Sequence, residues 1–293
     1  MGHDHNHIHT RDNEVIVGRA FVLIAGFMVV EVIGGLLANS LTLLADAGHM
    51  FLDATALGLS WYALRLSKRS NDHKLSYGYH RFQVLAAFIN GLTLMALVVW
   101  ILVEAYARLR APEGMLALPA LAVAVVGMVV NLIAFRWLHG AEDNATVRSA
   151  ALHVIGDLLG SAAAIIAALT VYLTGWLYAD PLLAVVIVVI LGRGAWRVLK
   201  ESAHILLEGV PHGINLTEIA ETLAARVPGV IEVHHVHAWA LTSEKPLVTL
   251  HASVDEGTEL AGVVSRMKVV LNDDFGIDHS TIQVEHGPCP DDD

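Results

Sequence analysis

Ala151-Leu152-His153-Val154-Ile155-Gly156-Asp157-Leu158-Leu159-Gly160-Ser161 lies inside an apolar run from Val147 to Thr174. A run of that length crosses a hydrocarbon core of ~30 Å as a helix. Its histidine and aspartate, four residues apart, share one helix face one turn apart. The same H-x-x-x-D spacing recurs in Ala47-Gly48-His49-Met50-Phe51-Leu52-Asp53, inside a second apolar run from Leu41 to Leu66. Four more runs, about Val15 to Ala38, Phe82 to Leu109, Met115 to Leu138 and Pro181 to Leu199, bring the prediction to six transmembrane helices. Turn residues or charges mark the connections at Ala38-Asn39-Ser40, Lys68 to Arg81, Arg110 to Gly114, His139 to Thr146 and Thr174 to Asp180.

Composition agrees with a membrane protein: 55% of the 293 residues are hydrophobic and only 16% charged. A net charge of -11 excludes the basic footprint that a nucleic-acid partner requires. Seventeen histidines against one cysteine point to metal chemistry, and Cys289 alone forms no internal disulfide. Residues 1–14 carry His3, His5, His7 and His9 and lack the cationic start and apolar core of a secretory signal. This segment reads as a polar tail or as a weak metal-collecting arm.

Lys and Arg accumulate on cytoplasmic flanks. With the N-terminus inside, Arg11, Arg19, Arg65, Lys68, Arg69, Lys74, Arg81, Arg136, Arg148, Arg193, Arg197 and Lys200 fall on that side, and only Arg108 and Arg110 fall outside. The same bias places residues 201–293 in the cytoplasm, after a transmembrane domain over residues 15–200.

From His212 onward the composition becomes that of a small soluble domain. Leu216 to Val227 has helical spacing, Ile231 to Leu241 and Leu247 to Val254 read as strands, Leu260 to Asp274 as a helix and Thr281 to Glu285 as a last strand. The order αββαβ predicts an open-faced α/β sandwich with its helices on one face of the sheet. About 80 residues make a marginal core alone, so docking or dimerisation is expected.

Two helices that each present a His and an Asp supply two imidazoles and two carboxylates, matching the tetrahedral N/O demand of Zn²⁺. A divalent cation also compensates two carboxylates buried in hydrocarbon. Asp53 lies 14 residues from Asn39 and Asp157 lies 18 from Gly175. At ~1.5 Å per residue these depths differ by about one turn, within reach of helix tilt. The competing reading is that each His and Asp satisfies its neighbour in a bundle. Asp46, near but not on the His49 face, fits a supporting or gating role or polar packing. Glu31, Asn90, Glu104 and Asn131 fit interhelical hydrogen bonds or positions at helix ends. Histidine binds metal only when neutral and aspartate only when ionised, so protons and metal compete for the same atoms. A site facing each side of the membrane in turn then exchanges zinc for protons.

These residues resemble the cation diffusion facilitators, and within them the bacterial zinc exporters. The carriers are Ser40-Leu41-Thr42-Leu43-Leu44-Ala45-Asp46-Ala47-Gly48-His49 with Asp53, the segment Ala151 to Ser161, Val233-His234-His235-Val236-His237-Ala238-Trp239, and Thr281-Ile282-Gln283-Val284-Glu285. The resemblance implies a homodimer of six-helix subunits in the cell inner membrane, both termini cytoplasmic, each with a ferredoxin-like or metallochaperone-like domain. It implies export of Zn²⁺, or of Cd²⁺, Co²⁺ or Ni²⁺, against protons through His49, Asp53, His153 and Asp157. It further implies bound Zn²⁺ at His237, His251 and Glu285, with His234, His286 and Cys289 as additional candidates. Where some relatives have a His-x-Asp near the C-terminus, this chain has Glu285-His286-Gly287. Asp72, His73 and His80 match a loop in which relatives hold a further metal, against the plainer reading of a solvated loop. Two other classes stay open: a membrane metal sensor or metal-gated channel, and a membrane metalloenzyme. The sequence contains no H-E-x-x-H, and no enzymatic activity is expected.

Overall fold

The computed structural model describes residues 6–51, 54–55, 75–139, 145–287 and 289, with residues 6–18, 20, 138–139 and 145–153 described by backbone alone. The helices are α1 (Asn6–Ala38), α2 (described over residues 41–51), α3 (Arg81–Arg110), α4 (Ala117–His139), α5 (Ala145–Thr174) and α6 (Ala179–Leu206). The C-terminal elements are α7 (Leu216–Arg226), β1 (Val230–Ala240), β2 (Pro246–Val254), α8 (Leu260–Phe275) and β3 (His279–Glu285). Among the described residues five helices are long and apolar enough to cross a membrane. The span expected from Leu41 to Leu66 is helical over 41–51 and at 54–55, and the rest of it lies outside the described residues.

Two ends differ from expectation. α1 starts at Asn6 rather than Val15, and α6 continues to Leu206 rather than Leu199. Hydropathy locates what is apolar, whereas Glu201, Ser202 and His204 extend a helix without being apolar.

The chain divides into two compact units, Met1–Trp61 with Ile89–Val198, and Tyr62–Phe88 with Leu199–Asp293. In the first, α2 belongs to two apolar clusters at once. Leu43 packs with Ala38 of α1, Ala120 and Ala124 of α4 and Ala164 and Ala168 of α5. Leu41 and Ala45 pack with Leu94 and Ile101 of α3 and Val188 of α6. The many alanines let helices approach closely where apolar burial gives no advantage over lipid. Val99, Val126, Leu173 and Ile190 are exposed, as side chains facing lipid are.

A buried polar knot fixes where α2 begins. Ser40 Oγ donates to Asp180 Oδ1 at 2.7 Å and accepts from the Leu43 amide at 3.3 Å. The amides of Leu41 and Thr42 donate to the Asp180 carboxylate at 2.7 and 3.1 Å, and the Thr42 hydroxyl donates to the Asp180 carbonyl at 2.9 Å. The free amides of a helix start thus meet an anion supplied by another helix. Beside it, Arg108 of α3 donates to the backbone carbonyl and side-chain oxygen of Asn39 at 2.7 and 2.6 Å and to Glu104 at 3.0 Å. Asn39, at φ +56°, sits in the left-handed region that asparagine tolerates, and turns the chain from α1 into α2.

In the second unit the sheet order is β1-β2-β3, antiparallel then parallel. α7 and α8 pack on one face through Ile219, Leu223, Met267 and Leu271, against Val233 and Leu250. Asn215 caps α7 by accepting from the Thr217 and Glu218 amides, and Gly276 at φ +65° closes α8. This is the expected αββαβ sandwich, with α7 and α8 on the same face of the sheet.

Candidate metal centre

His49 and Asp157 are the two transport-site candidates whose side chains the structure describes. Asp53 lies outside the described residues, and His153 is described by its backbone, in α5 one turn before Asp157. Asp157 is 2% exposed. His49 lies against α5 at Gly156, the residue preceding Asp157, where an added Cβ would stand 2.8 Å from His49 Nε2. One turn along, a Cβ at Gly160 would stand 1.8 Å from Asp46 Oδ1 and 2.5 Å from its Cγ. Gly156 and Gly160 therefore form a small-xxx-small face on which α2 rests its two polar side chains. The quoted α5 segment contains this signal, read above only for its His and Asp.

Asp46 is fully buried and accepts a hydrogen bond from Ser161 at 3.2 Å, and Ser161 accepts from Asn131 at 3.2 Å. Asn131 thus makes the interhelical bond expected of it, and Glu104 pairs with Arg108 toward the end of α3. Gly160→Ala forces the Asp46 carboxyl, or α2 itself, out of place. Overpacking a filled site costs roughly 1–3 kcal/mol. The expected result is a lower midpoint of thermal unfolding in detergent with weaker zinc uptake, whereas alanine at Gly114, with nothing within 4 Å, changes neither.

A second cluster stands on the sheet face opposite α7 and α8. His234 and His251 are directly opposite one another on β1 and β2. Their ring nitrogens, a Glu285 carboxylate oxygen and Cys289 Sγ all lie within 4.8 Å of one another. His251 Nδ1 is 2.9 Å from Glu285 Oε1 and 3.4 Å from Cys289 Sγ, and His234 Nε2 is 3.4 Å from Glu285 Oε2. Burial pushes the Glu285 carboxyl up, but hydrogen bonds from Gln283 and Cys289 and the nearby His251 and His234 outweigh it and hold it below its ordinary value. It is therefore ionised at neutral pH, as a ligand must be. Two imidazoles, a carboxylate and a thiol at these separations suit tetrahedral zinc.

His237 is not in this group. It is exposed, opposite Thr249, and lines a surface hollow with Glu208, Leu216 and Trp239. The strand register shifts between His234 and His237, where His235 takes φ +48°. Such a bulge breaks the alternation of faces. It brings His235 to the cluster instead, its ring 5.1 Å from that of His251 and its Nδ1 4.0 Å from Cys289 Sγ. His286 is exposed and outside the group. Asp72 and His73 lie outside the described residues. His80 has Lys245 Nζ 3.3 Å away, and burial first, then this ammonium, push its pKa down. A fixed ammonium at that distance also repels a metal ion.

The family model described as the cation efflux transmembrane domain matches residues 17–207, and that described as the cation efflux protein cytoplasmic domain matches residues 211–287. The chain belongs to the cation efflux family. The first match includes all four H-x-x-x-D residues; the second includes His234, His251 and Glu285 but stops before Cys289. Among curated cation efflux proteins, the zinc transporter ZitB of Pectobacterium atrosepticum is 42% identical over 295 residues, covering 100% of this chain and 91% of that protein. The cadmium, cobalt and zinc/H(+)-K(+) antiporter of Bacillus velezensis is 37% identical, covering 97% and 92%. A solved structure, the metal-bound C-terminal domain of the CzcD transporter from Cuprividus metallidurans, is 38% identical, covering 25% of this chain and 99% of its own, with a TM-score of 0.23.

Proposed function

We propose that this protein exports Zn²⁺ across the inner membrane in exchange for protons, binding the ion at His49, Asp53, His153 and Asp157. The carrying observation is the enclosed meeting of α2 and α5, with His49 against α5 beside the buried Asp157. A relative named as a zinc transporter and another named as a zinc/H(+) antiporter support this reading. Neutral imidazole and ionised carboxylate bind metal, and protonation of either releases it. A pH gradient therefore performs work on zinc whenever the site faces the two sides in turn. In inside-out vesicles, zinc uptake is expected to rise when the lumen is made acidic; a rate indifferent to the gradient sinks the exchange reading.

The same reading makes the protein a homodimer with both termini cytoplasmic, and makes the cluster of His234, His251, Glu285 and Cys289 a bound-zinc site. The set of two nitrogens, one oxygen and one sulfur is its support. X-ray absorption at the zinc edge of the full-length Asp157→Ala protein is expected to show one sulfur ligand at ~2.3 Å. Cys289→Ser in that background removes this sulfur. Detection of nitrogen and oxygen ligands alone before the second substitution contradicts the assignment.

A further inference from the structure

Two buried carboxylates lie beyond the four transport-site residues. Glu31 of α1 and Asp46 of α2 are both fully enclosed. Glu31 lies on α1 between Phe27, which meets Gly127 beside Ser161 Oγ, and Gly35, which meets Leu44 of α2 two residues before Asp46, so the two carboxyl groups occupy one enclosed region and act on one another. Yet neither Glu31 oxygen, nor Asp46 Oδ1, meets an N–H or O–H donor among the described residues. Among the described residues the one donor to the pair is Ser161, to Asp46 Oδ2. Behind Ser161 stands Asn131 of α4, also fully buried, its Nδ2 on the serine and its Oδ1 without a partner among the described residues. Of the other titratable groups nearby, α5 brings Asp157, whose charge acts on Glu31, and α2 carries His49 one turn beyond Asp46. Among the described residues no Lys or Arg contributes a charge to either carboxyl, and α4 brings only the neutral Asn131.

Two neighbouring carboxylates, enclosed and with no counter-charge among the described residues, are too costly to ionise together. One proton shared between them removes one of the two charges and supplies the donor that an O–H···O bond needs. We propose that Glu31 and Asp46 together hold one exchangeable proton, forming a proton-binding site separate from the metal ligands and one helical turn from His49. This rests on the proton-exchange reading above, because a held proton becomes cargo only if protons are exchanged. The coupling is electrostatic. A divalent cation held by Asp157 offsets the negative charge that acts on Glu31, which makes ionising the pair cheaper, so the proton leaves for water. When the metal departs the proton returns, and the two occupancies oppose each other reciprocally.

Infrared difference spectroscopy on the full-length protein in lipid at neutral pH tests this, alongside zinc uptake driven by a pH gradient. The zinc-free protein is expected to show a protonated-carboxyl stretch that shrinks when Zn²⁺ is added. Glu31→Gln and Asp46→Asn each replace one acid by a neutral amide of the same shape, and each is expected to lose the band and the gradient-driven uptake. If one variant fails to fold, the other carries the test. The proposal is overturned if the band is absent from the unsubstituted protein, if it persists in the variants, or if they keep gradient-driven uptake. A zinc-sensitive band in a protein whose uptake ignores the pH gradient supports the shared proton and overturns the exchange reading.

Discussion

Asp157→Ala is expected to abolish zinc uptake driven by a pH gradient while the protein stays folded. The carboxylate is 2% exposed, near the middle of α5. In the proposed site, removing it takes away one of four ligands and half of the anionic charge offered to Zn²⁺. Loss even of a group that merely orients a ligand costs 10–100-fold in metal affinity, so loss of the ligand itself lowers affinity at least about a hundredfold. Zinc titration of the purified variant reads the affinity, and vesicle uptake reads transport. Asp157→Asn, which keeps the shape and loses the charge, is expected to behave like the alanine variant. Uptake unchanged in both assigns the paired H-x-x-x-D motifs to structure alone.

Asp180→Ala is the second large effect, and it acts at a distance from the metal. Its carboxylate receives the Leu41 and Thr42 amides and the Ser40 hydroxyl, all buried, and stands 3.9 Å from Arg108. Alanine leaves these donors without that acceptor and takes from Arg108 one of its two nearby carboxylates, leaving Glu104 at 3.0 Å. Losing a helix cap costs about 1 kcal/mol, and breaking a buried charged group away from its partners raises the total to roughly 3 kcal/mol or more. Thermal unfolding in detergent is expected to show that loss. Zinc uptake falls with it, because Asp46 and His49 follow on the same helix within three turns of the cap. Asn at position 180 retains one acceptor and is expected to fall between the two. Full stability in Asp180→Ala would show that α2 is held elsewhere.

Much of the fold is legible in sequence because it is written in local periodicity. Apolar runs gave the helices, and in the C-terminal unit the strand and helix ends agree with expectation within about two residues. What was not legible depends on partners far apart in the chain. Ser40 reads as an ordinary helix start, yet its anion is Asp180, from another helix 140 residues on. Asp46 was equivocal because its position is decided by Gly160 and Ser161 across the helix interface. In the sheet, the family resemblance implies His237 with His234 as an additional candidate, and the bulge at His235 puts His234 and His235 at the cluster and leaves His237 outside it. Cys289, an additional candidate through the resemblance alone, reaches the cluster from beyond the last strand, where no periodicity applies.

The central claim is that the protein moves zinc in exchange for protons. Its most direct test follows zinc and pH together inside proteoliposomes holding equal zinc on both sides, after a pH step is imposed. Exchange predicts net zinc movement toward the acidic compartment, against the zinc gradient that builds up, with protons leaving that compartment at the same time. Zinc that stays at equal concentration on both sides, or moves with no accompanying proton flux, contradicts it.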